Sequence, residues 1–162
     1  MLGGSGLAVV ATPFEDPATQ AMVSHVQAEY VRRYGGPDET PLPDGVFEPP
    51  AGAFFLGLED GAPVAMGGWR LRTDVQPWGL SPVAEIKRMY VAAASRRRGH
   101  ARRVLAHLEQ TARAAGARAM VLETGVAQPE AIGLYTAAGY APVPAFGHYA
   151  WSPSARHLGK RL

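Results

Sequence analysis

The stretch from Ala84 to Thr124 constrains the fold more than any other, because its apolar residues change period twice. Ala84-Glu85-Ile86-Lys87-Arg88-Met89-Tyr90-Val91 mixes charged with apolar residues as a strand does. Val104, Leu105, Leu108 and Ala112 then fall on one face of a helix from about His100 to Ala115. Gly116 closes that helix, and Ala119-Met120-Val121-Leu122-Glu123-Thr124 returns to a strand. Strand, helix and strand over this length make a right-handed crossover, so the two strands are predicted to be parallel. Between the first strand and the helix lies Arg96-Arg97-Arg98-Gly99-His100-Ala101, a basic turn. The first N–H groups of a helix lack internal partners and sit at the positive end of its dipole, so an anion is favoured there.

The other elements fit around this unit. Leu7–Ala11 reads as a short strand, and Pro17–Tyr34 as a helix with Met22, Val23, Val26, Tyr30 and Val31 at helical spacing, stopped by Gly35-Gly36-Pro37. Residues 35–52, rich in proline and acidic side chains, read as a surface excursion. Ala53–Leu58 and Val64–Arg72 flank Glu59-Asp60-Gly61 and read as an antiparallel hairpin. Pro129–Ala138 reads as a short helix closed by Gly139, and Tyr140–Leu162 as extended segments interrupted by prolines. This predicts a mixed α/β domain over residues 7–162 after a flexible start at residues 1–6.

Composition excludes several classes. A chain of 162 residues buries roughly 70% of its unfolded surface and needs no staple. With no cysteine, it has no disulfide framework, iron–sulfur cluster or cysteine nucleophile. His25, His100, His107, His148 and His157 form no close pair at metal-ligand spacing, so no metal site is expected. The longest apolar runs fall far short of the roughly 18 residues of a membrane span, and the N-terminal residues lack a signal peptide's basic start, which places the protein in the cytoplasm. Five of the 14 arginines lie within Arg96–Arg103, yet no aromatic residue interrupts Ser95–Gln110, which argues against nucleic acid as the partner of that cluster.

Arg96, Gly99 and Ala101 occupy the places of the pyrophosphate signature of the Gcn5-related N-acetyltransferase (GNAT) superfamily, which is Arg or Gln, two residues, Gly, one residue, Gly or Ala. Ala84–Val91 resembles the family's preceding strand, Leu122-Glu123-Thr124 its following strand, and Ala131, Leu134, Tyr135, Gly139 and Tyr140 its later Ala…Leu-Tyr…Gly-Phe motif. The resemblance implies a central, mostly antiparallel sheet splayed around the one parallel crossover, with acetyl-CoA as cosubstrate and a small-molecule or protein amine as acceptor. It further implies that the backbone of Met89, Tyr90 and Val91 meets the pantetheine arm, and that Arg96, Arg97, Arg98, Gly99, His100, Ala101 and Arg102 surround the phosphates. Thr124, Gln128 and Ala131 complete the cofactor contacts, although the family often has Asn at the place of Gln128. A homodimer is one assembly open to such a domain.

On the same resemblance Tyr135 is the general acid that protonates the departing thiolate. Glu85 is the first choice of general base and Glu123 its competitor. Two other readings stand beside the enzyme: a catalytically inactive acyl-CoA-binding sensor, which would keep the Arg96–Ala101 cradle, and a nucleic-acid-binding domain built on the arginines. The acidic excursion with Asp38, Glu39, Asp44 and Glu48, facing Phe146–Trp151, is expected to form an acceptor wall that favours a cationic amine.

Overall fold

The computed structural model describes residues 6–162, so the expected flexible start lies, up to residue 5, outside the described residues. The chain forms β1 (Ala8–Ala11), α1 (Pro17–Tyr34), β2 (Gly52–Glu59), β3 (Ala62–Arg72) and β4 (Val83–Val91). It continues with α2 (His100–Ala114), β5 (Ala119–Gly125), α3 (Pro129–Ala137), β6 (Ala141–Pro142) and β7 (Ala155–Arg161). All seven strands join one sheet in the order β1-β2-β3-β4-β5-β7-β6, antiparallel except where β4 and β5 run parallel across the crossover.

Local chemistry explains the boundaries of α1. The Asp16 carboxylate accepts from the Ala18 N–H at 2.9 Å, Pro17 fills a first-turn position where no N–H is needed, and Gly35 ends the helix at φ 81. The C-terminal segment departs from expectation. Only β7 is a full strand, inserted between β5 and the two-residue β6, while residues 143–154 form turns.

Two apolar layers cover the sheet. On one face α2 and α3 bury Trp69, Ala84, Ile86, Leu105, Leu108 and Leu122. On the other, α1 and residues 42–47 enclose Met22, Val26, Phe47, Phe54 and Met66. Gly67 of β3 lets α2 sit close to the sheet, since a Cβ there would lie about 3.0 Å from the Met89 sulfur and 3.2 Å from Leu108. Trp69 is core and donates its ring N–H to Thr111 Oγ1 at 3.0 Å.

Candidate active site

The functional geometry begins where β4 and β5 part. Their parallel pairing runs over Val83–Ala119, Ala84–Met120 and Glu85–Val121 and stops there, although both strands continue. On its other side β4 carries a bulge, because Met66 pairs with Tyr90 and Gly68 with Lys87, so Arg88 and Met89 together oppose Gly67. Arg88 takes φ 58 to make that bulge. A bulge bends its strand and redirects side chains, which turns the last residues of β4 away from β5. The Ala92 N–H donates to Val64 on β3, so strand alternation leaves the Val91 N–H and C=O facing the parted edge.

Just beyond Val91 lies the basic turn. Arg97 at φ 65 and Gly99 at φ 77 take left-handed backbone conformations before α2 starts. Nothing lies within 4 Å of a Cβ added to Gly99, so the glycine serves conformation, and the space above it is open to a ligand. The arginines here are individually placed. Arg96 donates Nε–H to the Val91 carbonyl at 2.9 Å, pairs with Glu29 at 2.9 Å and lies over the Tyr90 ring. Arg98 and the buried His100 imidazole share Glu59, each at 2.9 Å, while Arg97, Arg102 and Arg103 extend into solvent. His100 and Ala101 therefore bring only backbone N–H groups to the turn.

Across the opening, Thr124 is the last residue but one of β5 and Gln128 caps α3, where its side chain accepts the Tyr34 hydroxyl at 3.1 Å. Ala131 packs against the α2-side core. Tyr135 is 5% exposed and edge-on to Tyr140, and burial pushes its hydroxyl well above the ordinary phenol value. Among the described residues that hydroxyl has no hydrogen-bond partner, which suits a proton donor waiting for a substrate atom.

The two carboxylates considered as base differ sharply. Glu85 Oε1 accepts from Arg70 Nε at 2.7 Å and from Arg72 at 3.1 Å, and its side chain is 4% exposed. Taking up a substrate proton there would break a buried double ion pair. Glu123 has no such partner. Its Oε2 faces His157 Nε2 at 3.3 Å, and burial raises its pKa from 4.5 to about 7, with Asp38 and Glu85 adding to the rise and Lys87 opposing it. His157 is pushed the other way, since burial favours its neutral form. β7 sets His157 beside Glu123, and Lys87 on β4 is near enough to favour the charged form of Glu123. A cation, a carboxyl group and an imidazole thus act on one another here.

Lys87, Arg88, Arg70, Arg72 and His157 were missed from the sequence. One signal was available: consecutive charged residues at Lys87-Arg88 break strand alternation, as a bulge does. The expected acidic acceptor wall is not assembled. Asp38 turns inward, 3.1 Å from Arg88 and 3.9 Å from Lys87, while Asp44 and Glu48 line a separate cavity of about 550 Å³ with Phe14, Phe47 and Phe54. The Glu39 N–H donates to the Tyr149 hydroxyl at 2.8 Å, so the excursion does meet the 146–151 segment as expected. Among the described residues no helix is long and apolar enough to cross a membrane, and no group of three His, Asp or Glu is placed to hold a metal.

A sheet opened beside a glycine-bearing basic turn, with ionisable groups across the gap, defines an acyl-CoA N-acyltransferase fold. The profile of the Acetyltransferase (GNAT) family matches residues 19–140, and the chain belongs to that family, whose chemistry is acetyl transfer. An "IAA acetyltransferase" of Azospirillum brasilense is 35% identical over 109 residues, covering 67% of each chain. Among solved structures, a protein assigned as an acyl-CoA N-acyltransferase from Klebsiella pneumoniae superposes with a TM-score of 0.79 at 24% identity, covering 98% of this chain and 99% of that one. A GNAT family acetyltransferase from Elizabethkingia anophelis with acetyl-CoA bound gives 0.66 at 13% identity, over 96% and 98%.

Proposed function

We propose that the protein moves the acetyl group of acetyl-CoA to a primary amine by direct attack in a ternary complex. The observation that carries this reading is the opening between β4 and β5, with an open glycine turn at one end and Glu123 on β5 beside it. The residues fit the cosubstrate. Unpaired N–H groups at the start of α2 and the free arginines around it suit a pyrophosphate, with bonds to charged groups worth roughly 1.5–3 kcal/mol each. The exposed edge of β4 offers the Val91 N–H to an extended amide-bearing arm, and Gln128, Thr124 and Ala131 border the same space.

Each step then has a group from the chain. Glu123, ionised above about pH 7, takes the proton that the acceptor nitrogen must lose, directly or through one water. The nitrogen forms a C–N bond to the thioester carbon, and a backbone N–H at the β4 edge faces the oxygen that becomes negative. The C–S bond breaks and the Tyr135 hydroxyl gives its proton to the sulfur. Burial holds Tyr135 in the protonated form that this requires. Glu85, the expected first choice of base, serves instead as the fixed charge that orders Arg70 and Arg72 and disfavours ionisation of Glu123. The reading carries with it one N-acetyltransferase domain over residues 7–162 and a cytoplasmic location.

The test is release of CoA from acetyl-CoA with a panel of amines, hydrolysis subtracted, and the product identified by mass. Amine-dependent acetylation is expected. Tight acetyl-CoA binding with no acetylated product from any amine would instead support the sensor.

A further inference from the structure

We propose that Lys87 and Arg88 form an anion subsite for the acceptor, and that the acceptor is therefore an amine that also carries a carboxylate, as an amino acid does. This rests on the acetyltransferase reading above and names its substrate class.

The charges along β3 and β4 are out of balance. Four cations, Arg70, Arg72, Lys87 and Arg88, lie on β3 and β4 beside Glu85 and Asp38. Their ionised partners are Glu85, Asp38 and the outlying Asp74, which is 65% exposed. Glu85 and Asp74 are consumed by Arg70 and Arg72. While Glu123 holds its proton, Asp38 alone is left for both Lys87 and Arg88, and its Oδ1 already accepts from the Thr40 N–H at 2.9 Å and hydroxyl at 2.7 Å. Although burial works against its charge, Lys87, Thr40 and Arg88 together hold Asp38 below the ordinary carboxylate value, so it is a full negative charge. The two cations still outnumber it.

Burial makes the imbalance costly. The Lys87 side chain is 9% exposed, its nearest carboxylate oxygen is 3.9 Å away, and among the described residues its ammonium makes no hydrogen bond. Arg88 is 6% exposed and its Nε is buried without a partner. Buried cations left short of partners are destabilising, and a bound carboxylate would supply what both lack. Lys87 acts on the charge of Glu123, the proposed acceptor of the amine proton, and a molecule whose amine and carboxylate are one carbon apart would put its amine at Glu123 and its carboxylate at Lys87.

The experiment compares matched sets: amino acids, their decarboxylated amines and their methyl esters. Acetylation kinetics are measured in each case, and equilibrium binding to CoA-saturated protein is measured by calorimetry. The carboxylate-bearing amines are expected to have at least about 10-fold higher kcat/KM and about 10-fold tighter binding than their decarboxylated partners. Lys87→Met should remove most of that preference through KM and leave acetyl-CoA affinity and the melting temperature near those of the parent. Lys87→Arg should retain part of the preference. Asp38→Asn, which frees both cations, should tighten binding of the carboxylate-bearing amines. If amines are acetylated with no preference for a carboxylate, or if Asp38→Asn weakens their binding, the subsite is wrong while the enzyme reading stands. If no amine is acetylated the enzyme reading fails, and the calorimetric comparison still decides whether Lys87 receives carboxylates.

Discussion

Replacing Glu123 by Gln separates the two consequences of placing a carboxyl group in the parted sheet. Raising its pKa from 4.5 to about 7 means that the folded protein holds a proton the unfolded chain has already lost. Below pH 4.5 both states are protonated and the group contributes nothing. As pH rises through 7 the folded state must ionise Glu123 at the cost of its desolvation, so stability falls with pH across this window and the full penalty is present above it. A displacement of this size corresponds to at most about 3 kcal/mol. The side chain keeps 19% exposure at the mouth of the opening, and solvent screening reduces the penalty to about 1–2 kcal/mol. Glu123→Gln keeps the shape and a partner for His157 while removing the charge. It should therefore raise the melting temperature by about 2–8 °C at pH 8 and much less at pH 5, as measured by scanning calorimetry. The same variant should lower kcat by roughly 10²–10⁴-fold and abolish the rise of kcat/KM with pH near 7. A melting difference that is the same at both pH values, or a variant that keeps the pH profile, would refute the assignment of Glu123 as the titrating base.

The remaining predictions concern other parts of the site and core. Tyr135→Phe should keep acetyl-CoA affinity by calorimetry and lower single-turnover rates roughly 10²–10⁴-fold, and an unchanged chemical step would return Tyr135 to a packing role. Gly99→Val forces a β-branched residue to φ 77 and should cost about 1–3 kcal/mol of stability by denaturant unfolding, whereas Gly99→Asn, which tolerates that conformation, should cost less. Both should weaken acetyl-CoA binding because the space above the turn is filled, and equal affinity in Gly99→Asn would mean that no ligand approaches there. Leu108, fully buried between α2 and Gly67, should cost about 2–5 kcal/mol on replacement by Ala, read from the urea midpoint.

What the sequence determined by itself was everything governed by local chemistry. Asp16, Pro17 and Gly35 mark the ends of α1 because caps and φ limits act within a few residues, and the apolar face of α2 follows from helical period alone. The parallel crossover was legible from chain length and handedness, and the basic turn from Gly99 opening a helix among arginines. The later Ala131, Leu134, Tyr135 motif was likewise readable by resemblance to a family. Tertiary structure decided the rest. Glu85 and Glu123 are equally plausible strand carboxylates on paper, and they diverge because β3 brings Arg70 and Arg72 to one of them and leaves the other facing His157. Asp38 reads as part of an acidic surface, yet its loop folds it onto Lys87 and Arg88, which a bulge has redirected. Charge count and residue type are properties of the chain. Which charges lose their water, and which partners they then meet, depends on contacts between residues far apart in the chain, 50 positions in the case of Asp38 and Arg88, and no local pattern encodes that.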